Sequence, residues 1–233
     1  MNRLISTVQI DLRLQFRNGL YYISFGVAIF LVLILRQLFD PALLTIVLPL
    51  MLMVAAGGTG YIFAAGMLFL EKTQRTLSAL IVSPLRPSEY MASKLISLGL
   101  LVCFEGILTV LLSYSWQLNW ALLILGLSAV LLLMVLISFI VVVRYNSITD
   151  FLMPSTALIV LLQLPLLKLF AIGPTALYYA IPSTPGLILL EGAFRPLASW
   201  ELAYGLLGSA IVIAAAYFWA RAAYDRHIVR GGG

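Results

Sequence analysis

Glu105 is the residue most at odds with its surroundings, the one carboxylate deep in a long apolar run, about 16 Å along a helix from the nearest lysine, Lys94. A carboxylate there is costly in lipid and normally faces a helix bundle or a water-filled cavity. Three roles fit it: binding a cationic or polar substrate, relaying a proton, or hydrogen-bonding to a polar neighbour. Gln163 is a second, weaker candidate for lining the same path. Other chemistries lack their parts. Cys103 is the single cysteine, so neither an intrachain disulfide nor a multi-cysteine metal site can form. His227 is the single histidine and sits in a basic C-terminal tail. No glycine is followed by lysine, so the chain has no Walker A phosphate loop and no nucleotide site of its own. With no nucleophile arrangement or repeated carboxylate motif, an enzyme ranks low, and a metal site is not expected.

The elements that must position these residues are membrane spans. Of 233 residues, 63% are hydrophobic and 10% charged, far from a soluble domain. A spanning helix needs about 20 largely apolar residues, and the chain predicts six, over 20–39, 42–70, 91–114, 120–143, 151–172 and 201–223. Residues 2–18 are too polar to span and predict a helix in the membrane interface. Leu4, Ile5, Val8, Leu12 and Phe16 form its apolar face, and Arg3, Arg13 and Arg17 its basic one. The second span also carries Ala56, Gly60 and Ala64 at four-residue spacing, which lets helix backbones approach closely. The expected fold is therefore an all-α integral membrane protein forming a single transmembrane domain.

Charge sets the orientation. Lys and Arg collect at both termini, in 71–94 and at Arg144, while the opposite side holds only Arg36, Lys168 and Arg195. Both termini are thus expected in the cytoplasm, and the net charge of +5 reflects this bias rather than nucleic-acid binding. The segment 173–200 is then external. In it Pro182 and Pro185 limit helix to the positions after them, Ser183 or Thr184 offers a cap, and Leu187–Phe194 makes an apolar helical piece ending near Gly192. Such a piece, with Pro185, Gly186 and Glu191 in or beside it, makes sense as a re-entrant segment dipping back against the other helices. It either caps the outer end of a translocation path or packs against headgroups.

The cytoplasmic segment 71–90 is the long polar interruption between spans. Leu77, Leu80 and Ile81 repeat at helical spacing, Thr76 and Leu85 flank them, and Pro84 stops the turn. Ser88 is placed to cap the next helix, with Glu89 in its first turn. A short helix held between two spans can transmit a push.

These residues carry a resemblance. Glu71, Thr76-Leu77, Leu80-Ile81, Ser83-Pro84-Leu85, Tyr90 and Lys94 resemble the coupling-helix region of ABC-2 type transporter permeases, the membrane subunits of bacterial ABC exporters. Arg75 and Ser78 stand where members often have glycine and glutamate. The run Ile181 to Gly186 also looks like drug-export members, including fluoroquinolone-export permeases. The resemblance implies a bacterial cytoplasmic-membrane exporter for an amphiphilic substrate. Two permease copies would form the path, and two cytoplasmic ATPase subunits, carrying ATP and Mg, would dock on Glu71, Arg75, Thr76, Leu77, Leu80, Ile81, Pro84 and Leu85. A proton-coupled secondary transporter using Glu105 is the alternative of a different class.

Overall fold

The computed structural model describes residues 2–74, 86–170, 172 and 175–229. All regular structure among them is helical. Helix α1 covers Asn2–Arg17, α2 Leu20–Leu38, α3 Pro41–Thr73, α4 Pro87–Ser113, α5 Trp120–Val142 and α6 Ile148–Leu162. A 3-10 turn over Leu164–Phe170 leads to the short α7, Thr175–Tyr178, then α8, Thr184–Glu191, and α9, Ser199–Tyr224. Six helical stretches are long and apolar enough to cross a membrane: α2, most of α3, α4, α5, α6 with its 3-10 extension, and α9.

Local chemistry sets the ends of these helices. Between α1 and α2, Gly19 adopts φ of 77°, a left-handed conformation that costs glycine little, and this turns the chain sharply into the first span. Helix α4 begins at Pro87, with Arg86 at the capping position rather than Ser88, because proline pre-sets the first helical φ. Glu89 then accepts the Arg86 backbone N–H at 2.9 Å. Helix α6 ends at Leu162, because Pro165 has no N–H to continue the ladder and disfavours α geometry in the residue before it. The chain carries on across the apolar layer in the tighter 3-10 form.

Helices α3 and α5 form the centre, with 67% of their apolar windows buried, against 22% for α2 and α6 and 17% for α9. The Ala56, Gly60 and Ala64 stripe of α3 is buried, and a Cβ on Gly60 would come within 3.2 Å of Leu131 on α5. On one side of this pair sit α1, α2 and α4, and on the other α8 and α9.

Helix α8 spans Thr184–Glu191 and all eight residues are buried, against α3, α5 and α9. Its backbone is close enough to its neighbours that a Cβ on Gly126 would lie 2.7 Å from the Leu190 amide nitrogen. Ser183 does not cap it through its side chain. Its hydroxyl instead donates to the Leu162 carbonyl at 2.5 Å, one of the acceptors left without an intrahelical donor where α6 stops. Thr184 likewise donates to Tyr178 O at 2.5 Å.

Candidate functional site

Two helix ends flank the segment between α3 and α4, and one buried ammonium joins them. Lys94 Nζ, on α4, lies 2.5 Å from Glu71 Oε1 on the last turn of α3 and 2.5 Å from Asp11 Oδ1 on α1. Its side chain is 1% exposed. The Tyr90 hydroxyl donates to Glu71 Oε2, and Ser93 donates to Asp11 Oδ2 at 2.7 Å. A buried charge is tolerated only when paired and hydrogen-bonded, and this arrangement gives each carboxylate the cation and a hydroxyl. Next door, Lys72 Nζ donates to the carbonyls of Val142, Val143 and Tyr145 at 2.9, 3.3 and 2.7 Å. Those carbonyls lie at and just past the C-terminus of α5, where a cation is favoured by the helix dipole. Neighbouring residues at the foot of α3 thus bind α1 and α4 on one side and α5 on the other.

Of the positions expected to receive a partner, Glu71 is described and is engaged as above. Arg75, Thr76, Leu77, Leu80, Ile81, Pro84 and Leu85 lie outside the described residues.

The face that α1 turns inward is polar where it meets α4. Asp11 and Gln15 are 3% and 0% exposed, whereas Ile5 and Phe16, expected with Leu4 on the apolar face of an interfacial helix, are more than half exposed. Gln15 Nε2 donates to Ser97 Oγ at 2.9 Å and lies 3.7 Å from Met67 Sδ on α3. Ser97 belongs to a row on α4, with Ser93, Glu105, Thr109 and Ser113 at four-residue multiples, all buried. This row extends about 30 Å, the thickness of a hydrocarbon core. At its middle Glu105 is 1% exposed, and Ser24 of α2 donates to its Oε2 at 2.7 Å. Thr59 of α3 flanks it. Glu105 Oε1 and Gln15 Oε1 have no hydrogen-bond partner among the described residues.

Gln163 does not join this row. It caps the end of α6, its Nε2 is 3.5 Å from Met53 O, and a Cβ on Gly57 would meet it at 2.9 Å. Gly57 and Thr59 are about 200° apart around α3, so Gln163 and Glu105 lie on different sides of that helix.

At the other end of the spans, Glu191 closes α8 within a second ionic cluster. Lys168 Nζ reaches Glu191 Oε1 at 2.6 Å, and Arg195 reaches Glu191 Oε2 at 2.6 Å and Glu201 Oε1 at 2.8 Å. Hydrogen bonding to Glu201 raises the Arg195 pKa above its ordinary value, reinforced by Glu191 and opposed by partial burial. Pro182 lies in the turn before α8, and Pro185 and Gly186 are in its first turn, where a Cβ on Gly186 would come within 2.8 Å of Val130.

Asp11, Gln15, Lys72, Lys168 and Arg195 are site residues that sequence reasoning missed. Asp11 and Gln15 carried a signal, since they stand four residues apart in a helix whose other faces are apolar or basic. Among the described residues no group of three or more histidines, cysteines or carboxylates could hold a metal ion.

Comparison with known proteins adds the remaining observation. The fluoroquinolones export permease protein family matches residues 2–231. Two fluoroquinolones export permease proteins of Mycobacterium tuberculosis, from strains CDC 1551 / Oshkosh and ATCC 25618 / H37Rv, are each 28% identical over 237 residues. The alignments cover 100% of this chain and 99% of each relative.

Proposed function

This chain belongs to the fluoroquinolones export permease protein family, and from that premise we propose that it is the membrane subunit of an ABC-2 type exporter. Two copies frame a path for amphiphilic substrates, fluoroquinolones among them, in a bacterial cytoplasmic membrane. The termini and the segment 71–90 face the cytoplasm, as the basic bias favours. Two ATPase subunits bind that segment and supply ATP and Mg, since the sequence offers no phosphate loop. The segment 173–200 is external, with α8 re-entrant.

The observation that best supports this reading is the Lys94 cluster. A helix that receives a push moves the spans only if its ends are fixed to them. Lys94 ties the foot of α3 to the start of α4 and to α1, and Lys72 ties the same foot to α5. Closure of the ATPase subunits then moves four helices through one joint.

The test is transport in proteoliposomes containing the permease with and without its ATPase. Uptake into inverted vesicles should need ATP and the ATPase, and Leu80→Asp in the docking segment should abolish it while leaving the permease folded. Transport by the permease alone, driven by a proton gradient and lost in Glu105→Gln, would replace this reading with a secondary transporter.

A further inference from the structure

Helix α1 carries its charges on opposite faces. Asp11, its only acid, is turned into the protein with Gln15, where Lys94 holds it. Arg13 and Arg17 are exposed and lie about 200° around the helix from that pair. Ile5 and Phe16, 51% and 58% exposed, fall between the two. With Asp11 engaged by Lys94, no acid of α1 neutralises the outward stripe, and among the described residues neither Arg13 nor Arg17 is ion-paired.

The elbow sets the depth of this stripe. Gly19 turns the chain into α2, so Arg17 stands just before the first span begins at Leu20. Phe16 packs at 5.7 Å against both Tyr21 and Tyr22, and Tyr22 is 68% exposed. Exposed tyrosine at the end of a span belongs at headgroup level, where lipid phosphates lie. Arg13 and Arg17 stand about 6 Å apart along one face, and a guanidinium matches a phosphate with two parallel hydrogen bonds. An acidic protein surface would also suit the two arginines. The apolar stripe beside them favours a lipid, because Ile5 and Phe16 continue into the exposed Tyr22, Ile23 and Phe25 of α2.

We propose that the outward face of α1 is a site for anionic phospholipid, with headgroup phosphates bound by Arg13 and Arg17 and acyl chains against Ile5 and Phe16, and that its occupation seats Asp11 on Lys94. One rigid helix carries both faces, so α1 cannot leave the headgroup layer without drawing Asp11 off the ammonium. Membrane charge is thereby read at the joint between α1, α3 and α4.

Lipid affinity is measured by native mass spectrometry on the full-length permease in detergent, with dioleoylphosphatidylglycerol against dioleoylphosphatidylcholine. Phosphatidylglycerol should bind the more tightly. Arg13→Gln with Arg17→Gln should lower that preference about thirtyfold, for two arginines each worth about fivefold at an anionic surface. Arg13→Lys with Arg17→Lys keeps the charge and should keep the preference. Arg221→Gln with Arg226→Gln removes the same charge from exposed positions at the end of α9 and should leave most of it. In nanodiscs, the amides of α1 should exchange hydrogen more slowly in phosphatidylglycerol than in phosphatidylcholine, and the Arg13→Gln, Arg17→Gln protein should lose the difference. Neither measurement involves the ATPase or a transported substrate, so failure here leaves the export reading standing. Equal affinity for the two lipids overturns the proposal, as does an equal loss in the two glutamine pairs, which would make the effect one of net charge. So does α1 exchange that is the same in both nanodiscs. An Arg13→Gln, Arg17→Gln protein that keeps its lipid preference but no longer binds the ATPase would make the stripe a protein-docking face and overturn it too.

Discussion

The chain gathers charges at both ends of its spans, and the two clusters are built on opposite principles. At one end a single ammonium, Lys94, serves two carboxylates from two other helices, with 1% of its side chain exposed. At the other, Lys168 and Arg195 share Glu191 and Glu201, so each group but Lys168 and Glu201 has two partners, and the cations are 36% and 40% exposed. Buried charge has no substitute when its partner goes, because water cannot reach it. Exposed charge exchanges partners with water at small cost. One end is therefore a fixed joint, and the other can open and re-form. In the proposed cycle that is the needed division, with force entering at the fixed joint and the exit side changing shape.

The sharpest way to break this contrast is Lys94→Met. It leaves Asp11 and Glu71 buried without their cation, for a loss of about 3 to 5 kcal/mol. At this chain length that lowers the unfolding midpoint in detergent by roughly 10 °C. Adding Asp11→Asn and Glu71→Gln removes the orphaned charges and should recover most of the midpoint but not transport. Full recovery of ATP-driven transport in the triple variant would show that the ionic joint is not needed for coupling.

The next effect concerns what holds the Glu191 end of the molecule when its charges are wet. Helix α8 is held by close packing, and Gly126→Ala should cost about 1 to 3 kcal/mol, because the new Cβ lies 2.7 Å from the backbone nitrogen of Leu190 and a helix must shift. Gly66→Ala makes the matched control. It meets open space and should be neutral or slightly stabilising through better helix propensity. Comparable midpoints for the two variants would mean that α8 is not packed as described.

Much of this architecture is legible from sequence, and the parts that are not share one cause. Span number and order follow from hydropathy, because lipid requires long apolar helices whatever their partners. The break after Leu162 is not among them: the expected span 151–172 runs through Pro165, where the α-helix stops and a 3-10 stretch takes over. The joint is not visible. Asp11 and Lys94 are separated by 83 positions, and the spacing of Asp11 and Gln15 marks a polar stripe on α1 without naming the ammonium that it meets. In a membrane protein apolar residues face lipid as readily as protein, so hydrophobic spacing identifies helices better than it identifies their inner faces. Glu105 was the exception, because a carboxylate in a span has few tolerable surroundings.

The smallest expected effect tests the Glu191 cluster directly. Arg195→Ala removes a guanidinium that is 40% exposed, and solvent screening limits its worth to about 1 kcal/mol or less. Raising the salt to about 1 M should erase even that difference, since the screening length falls to roughly 3 Å, whereas the deficit of Lys94→Met should persist. The pH dependence has a definite sign. Folding raises the Arg195 pKa, mainly through its bond to Glu201, so its contribution is complete below the ordinary arginine value and is lost only as pH rises through the higher folded value. Arg195→Ala should therefore differ from the parent by a constant amount between about pH 6 and 9. A difference that grows with pH in that window, or that survives high salt, would place Arg195 in an environment as dry as that of Lys94 and remove the distinction between a fixed end and a releasable one.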